Sequence, residues 1–93
     1  MLDIVFTSRM KKDVKFAKKQ GKDLKKLTAL LDMLSGQEIL PEKYKDHSLK
    51  GDWQGFKDCH IEPDWLLIYK IDEVDCVLYA VATGSHSYLR IIP

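Results

Sequence analysis

An α+β fold is predicted for this 93-residue chain, and three observations predict it. A short β-branched and aromatic run opens the chain, two segments with helical periodicity follow, and three strand-like runs bounded by turn residues close it. Leu2 to Thr7 (LDIVFT) forms the first strand. Thr7 or Ser8 then caps a helix, because either hydroxyl can accept from an otherwise unpaired amide of the first turn. Met10, Val14 and Ala17 recur at i, i+4, i+7 with Phe16 beside them, and lysines take the remaining positions. Gly21 ends this helix and Asp23 caps the next, in which Leu24, Leu27, Leu31 and Leu34, widened by Leu30, line one face up to Gly36 and Pro41. The result is a helical hairpin with leucines toward the core and lysines toward solvent. Pro41 to Gly51 (PEKYKDHSLKG) is polar, punctuated by Pro and Gly, and reads as a loop. Strands follow at Trp53–Ile61, Trp65–Ile71 and Val74–Val81. The breaks at Glu62-Pro63-Asp64 and Asp72-Glu73 suit antiparallel hairpins, and Thr83-Gly84-Ser85 makes a last turn before a short tail. With the helices on one face of this sheet, the other face is left open, and a site would lie there.

The composition, 45% hydrophobic and 31% charged, is that of a soluble globular chain, read as a single domain over residues 1–93. No apolar run approaches the ~18 residues of a membrane span, and the N-terminus has no signal-peptide pattern, so the expected compartment is the cytoplasm. There Cys59 and Cys76 stay as thiols, acting as small core residues. Residues 1–50 carry a net +5 and residues 51–93 a net −4. Most of the positive charge lies between Arg9 and Lys26, a stripe that can neutralise phosphates or simply face water.

All three histidines fall in the second half: His47, His60 and His86, with Glu62 and Asp64 close after His60. Imidazoles titrate near neutral pH, so histidines converging on one cleft can run acid–base chemistry. A zinc site drawn from His47, Cys59, His60, Cys76 and His86 competes, but no C-x-x-C or H-x-x-x-H pair is present. Adjacent Cys59 and His60 also point to opposite faces of a strand. Of the aromatics Trp53, Phe56, Trp65, Tyr69, Tyr79 and Tyr88, most are expected in the core. Trp65, beside the Pro63-Asp64 turn, is the one expected to project into a site.

KDHSLKGDW (Lys45–Trp53), HIEPDWLLIYKI (His60–Ile71) and TGSHS (Thr83–Ser87) together resemble the RelE-type bacterial toxins, specifically the YafQ-like branch. The N-terminal strand and the two basic helices fit as well, so the resemblance covers nearly the whole chain. It implies a RelE-like fold and the toxin of a toxin–antitoxin pair, a ribosome-dependent mRNA endonuclease held in check by an antitoxin. Such enzymes cut mRNA in the ribosomal A site without a metal or other cofactor. The 2′-hydroxyl attacks the neighbouring phosphodiester, leaving a 2′,3′-cyclic phosphate and a 5′-hydroxyl. Matched residue by residue, the resemblance implies His47, His60, Asp64, Trp65 and His86 as site residues; for that chemistry the roles expected of them are His86 as general acid and His60 or Asp64 as general base. His47 and Lys50 would hold phosphate, and Trp65 would pack on a base. Two positions depart from the family. Ala82 stands where an Arg commonly precedes T-G-x-H, and Arg90 stands where Phe is usual. Loss of one preorganised cation on the phosphorane costs about 3–4 kcal/mol, unless Arg90 supplies the charge from the tail. Ala82 thus marks either a site inactivated by one replacement or a natural member with weak or altered activity. A homologue that only binds the ribosome or antitoxin is the alternative, and a small RNA- or protein-binding domain unrelated to toxins is a third.

Overall fold

The computed structural model describes residues 1–91. Strand β1 (Asp3–Phe6) leads into helix α1 (Ser8–Lys19), and helix α2 (Leu24–Ser35) follows after a tight turn. The caps are those anticipated: Thr7 Oγ1 accepts from Met10 N at 3.1 Å, and the Asp23 carboxylate accepts from Lys25 N at 3.0 Å. Gly21 takes φ +79°, a left-handed turn that side chains disfavour. The remaining elements are β2 (His47–Ser48), β3 (Lys57–Glu62), β4 (Trp65–Asp72), β5 (Val77–Gly84) and a short helix α3 (His86–Leu89). The strands form one sheet in the order β1-β5-β4-β3-β2. β1 runs parallel to β5 and every other pairing is antiparallel, so the sheet is mixed.

Several expected boundaries move. The strand expected from Trp53 begins only at Lys57, because Gly51–Trp53 forms a 3-10 turn and Gly55 takes φ +93°. The strand expected at Val74 begins at Val77. Asp72 Oδ1 accepts from the amides of Val74 and Asp75, closing a turn, and Cys76 is left-handed and exposed rather than in the core. That strand then continues through Thr83 and Gly84, which were expected to turn. The expected loop at residues 41–51 contributes the short strand β2 and a 3-10 turn at Glu42–Tyr44.

The helices pack on one face of the sheet around Met10, Ala17, Leu27, Leu30, Leu31 and Leu34, against Cys59, Ile61, Leu67, Tyr69, Leu78 and Ala80. Contrary to expectation, the opposite face is only partly open. Leu49 and Leu89, with Trp53, Phe56 and Ile91, cover Leu66, Ile68 and Ala82 there. Trp53 Nε1 donates to the carbonyl of Leu89 at 3.1 Å, fastening the tail over this second cluster. The two clusters alternate along β4 as strand geometry requires. β5 does not alternate simply: Ile68 pairs with Ala82 but Tyr69 pairs with Ala80, so Val81 is an extra residue. Ala80 keeps the helical side it shares with Leu78, and the bulge turns Ala82 toward the opposite face.

Candidate active site

On the face away from the helices, β3 presents Asp58 and His60, because Cys59 and Ile61 are taken by the helical core. His47 of β2 pairs with Asp58 across the sheet edge. His86 arrives from the other side, in the first turn of α3 after the Ser85 cap. Its ring centroid lies 5.2 Å from that of His60, in an edge-to-face arrangement. Asp64, in the turn between β3 and β4, completes the group. Its Oδ1 accepts from the His86 backbone amide at 2.9 Å and from His86 Nδ1 at 2.6 Å. The structure therefore brings together His60, Asp64 and His86, with His47 beside them on Asp58.

The electrostatics divide these groups. Hydrogen bonds from the amide and ring of His86 hold the Asp64 carboxyl below its ordinary range, so it stays ionised. With Nδ1 donating to Asp64, His86 keeps Nε2 for chemistry. Partial burial, followed by the charges of His86, Lys45 and His47, lowers the His60 pKa and favours its neutral form. Asp58 has no solvent exposure, and burial pushes its carboxyl pKa up against the opposing pull of His47 and His86. His47 Nδ1 lies 3.0 Å from Asp58 Oδ1 but donates to the Lys45 carbonyl at 2.7 Å, leaving both Asp58 oxygens without a hydrogen bond.

Trp65 is not a site aromatic. It is fully buried, faces the helices and donates from Nε1 to Thr83 Oγ1 at 2.9 Å, which fixes its ring in the core. Lys50 and Arg90 share a different cleft, lined also by Leu49, Asp52 and Trp53. Arg90, in the left-handed position that ends α3, lies on a neighbouring cleft with Arg9 and Lys12 as well. Ala82 has no exposure, yet the bulge turns it to the same side as His60, in the cross-strand row of Asp58 and Ile68. A longer cationic side chain from that position would start on the site's side of the sheet.

Sequence reasoning missed three residues. Lys45, the first residue of KDHSLKGDW, adds to the positive charge around His60, and Asp58, two residues before His60, lies under His47. Asp13, an acid among the lysines of α1, is 1% exposed. Its carboxylate accepts from Tyr88 Oη at 2.6 Å and Thr83 N at 3.2 Å, with Arg9 Nε 3.4 Å away. Beyond the end of β1 the outer edge of β5 has no strand partner, so α1 supplies one. Thr7 Oγ1 donates to the Val81 carbonyl at 2.8 Å and Asp13 accepts the next free amide, fixing the segment that carries His86. The signal was present: Asp13 sits at i+3 from Met10 and i−4 from Ala17, inside the apolar stripe.

Among the described residues no three His, Cys, Asp or Glu side chains converge in a way that could hold a metal ion. No helix there is long and apolar enough to cross a membrane.

The chain is similar along almost its full length to known proteins. The mRNA interferase toxin YafQ of Escherichia coli K12 is 46% identical over 88 residues, 94% of each chain. A metal-bound toxin from Helicobacter pylori superposes with a TM-score of 0.90 at 43% identity, covering 96% of this chain and 99% of that one. YafQ in the E. coli DinJ–YafQ complex superposes with a TM-score of 0.85 at 42% identity, covering 96% and 98%. A model of the YafQ family, bacterial toxins of type II toxin–antitoxin systems, matches residues 2–91. The α+β fold, the site-bearing motifs and these likenesses agree: the chain belongs to the YafQ toxin family.

Proposed function

We propose that the protein is an mRNA interferase, the toxin of a toxin–antitoxin pair, which cuts mRNA in the ribosomal A site by 2′-hydroxyl attack. The observation that carries this reading is the His86–Asp64 hydrogen bond of 2.6 Å with the His60 ring 5.2 Å away. Cleavage of this kind needs a base at the 2′-oxygen and an acid at the leaving 5′-oxygen. His60, kept neutral by burial and neighbouring positive charge, takes the proton from the 2′-hydroxyl. His86, held by Asp64 at Nδ1, gives a proton from Nε2 to the departing 5′-oxygen. Asp64 is thus the orienter of the acid rather than a second base, since its Oδ1 already accepts two bonds from His86. His47 and Lys45 flank this pair as phosphate contacts. The reaction needs no metal, and the site offers imidazole and carboxylate for each proton step. With Ala82 at the position of the family's cation, the phosphorane lacks one fixed charge, so turnover is slow. The solved DinJ–YafQ complex supports a small antitoxin protein as the natural partner.

Replacing His86→Gln tests the assignment. The side chain keeps a polar reach but cannot supply a proton, so cleavage on ribosomes is expected to fall roughly 10²-fold or more with ribosome binding retained. Loss of binding with the same variant would remove His86 from the chemistry. The alternative, a homologue that only binds, predicts no cleavage for His86→Gln to reduce.

A further inference from the structure

A cleft of about 490 Å³ adjoins the His86–Asp64 pair on its helical side. Phe16 and Gln20 of α1, Lys22 and Lys26 after it, the Glu62–Asp64 turn, and Gly84, Ser85 and Tyr88 line it. Two features are unusual for surface texture. Phe16 is 46% exposed although it stands on a helix with an apolar face available. Behind it the Tyr88 ring packs at 5.6 Å, tilted by 31°.

Tyr88 is itself fixed. Its hydroxyl donates to Asp13, and its ring lies so close over Gly84 that a Cβ there would fall 2.4 Å from Cδ2. Phe16 is thus an exposed ring with a rigid aromatic backing, held at low entropic cost. Lys22 stands beside it with its ammonium 5.5 Å from the Trp65 ring and no carboxylate partner among the described residues, while Lys26 pairs with Glu62 at 2.8 Å. An exposed aromatic face beside a cation that has no salt bridge among the described residues, and whose charge also reaches Asp64, is the pairing that single-stranded nucleic acid uses, one for a base and one for a phosphate.

We propose that this cleft is a nucleotide subsite for the mRNA strand, in which Phe16 stacks on a base flanking the scissile bond and Lys22 meets a phosphate. The proposal rests on the reading of the protein as an mRNA interferase. It gives the substrate an aromatic contact that Trp65, being buried, does not supply.

The test uses the full chain and two ribosome complexes. One carries an mRNA whose A-site nucleotides are 2′-O-methylated against cleavage, and the other carries an mRNA that ends before the A site. Phe16→Ala is expected to weaken binding to the first roughly five- to hundredfold, the worth of one lost base stack, and to leave the second unchanged. Phe16→Tyr restores the affinity, and Lys22→Gln lowers the log–log salt slope by about one phosphate's contribution, ~0.7. Phe16 is exposed, so its loss leaves the core packing in place. Equal losses on both complexes would mean that the cleft meets ribosomal RNA instead and would overturn the proposal. Unchanged binding of Phe16→Ala to both would overturn the subsite alone. Wild-type protein that binds neither complex would overturn the functional reading beneath it.

Discussion

A carboxylate removed from water and given no hydrogen bond costs a fold free energy, and Asp58 is so placed. Its raised pKa means that the folded chain holds this proton more readily than the unfolded chain does. The sign follows by linkage: the group's contribution to stability declines as pH rises through the ordinary carboxyl range, near ~3.9, and the deficit is largest at neutral pH. Asp58→Asn removes the ionisation and keeps the shape. The variant should melt higher than the wild type at about pH 7, with the difference narrowing at about pH 3, as thermal unfolding at the two pH values would read. A lower melting temperature at neutral pH would mean that the His47 contact outweighs desolvation. At this scale the sequence was partly legible. The motifs that carry the family resemblance pointed to His47, His60, Asp64 and His86, and these lie near one another: hairpin register sets His47 and His60 on one face, and the Asp64 bonds hold His86 beside them. Trp65 was misread because strand alternation separates two faces without telling which face a helix covers. Its indole N–H had a buried partner in Thr83, a pairing that sequence spacing does not reveal.

At the scale of elements, the site depends on how α1 grips the end of β5. Asp13 takes up an amide of β5 and the hydroxyl of Tyr88 in α3, so it sets where His86 begins. Asp13→Ala leaves the buried Thr83 amide without a partner, at a cost of about 1–3 kcal/mol, and releases the exposed Tyr88 hydroxyl to water. Urea unfolding should show that loss. Ribosomal cleavage should lose kcat with KM held, because His86 shifts while the docking surface stays. Asp13→Asn keeps one acceptor oxygen and should recover part of both. A stability loss with kcat intact would leave Asp13 as a purely structural clamp. The helices themselves were readable because their periodicity and caps are local: Thr7, Gly21 and Asp23 do what their side chains and backbone freedom dictate. The bulge at Val81 was not readable, since it exists only relative to β4. Yet it decides that position 82 faces the site.

Across the whole molecule, the sheet separates two tasks. One face is sealed by the two helices, whose solvent side carries the lysine stripe. The other holds the histidines beside a small cluster fastened by Trp53. The charge asymmetry between the halves of the chain follows this division: lysines on the helices can draw in a polyanion, while His47 and His60 sit on strands, Asp64 in the turn after β3 and His86 at the start of α3. The parallel pairing of β1 with β5 was illegible in the sequence, because it joins residues more than 70 apart with no local signature. The antiparallel hairpins were legible from their turns.

The central claim is that these groups cut mRNA by 2′-hydroxyl attack on the ribosome, slowed by the missing cation at Ala82. The measurement that tests it most directly maps mRNA ends on stalled ribosomes for this chain and for its Ala82→Arg version. The account predicts A-site breaks with 2′,3′-cyclic phosphate ends from both, roughly 10²-fold more abundant with the added cation. Intact mRNA from both proteins, with ribosome binding retained, would contradict it and leave a homologue that binds without cutting.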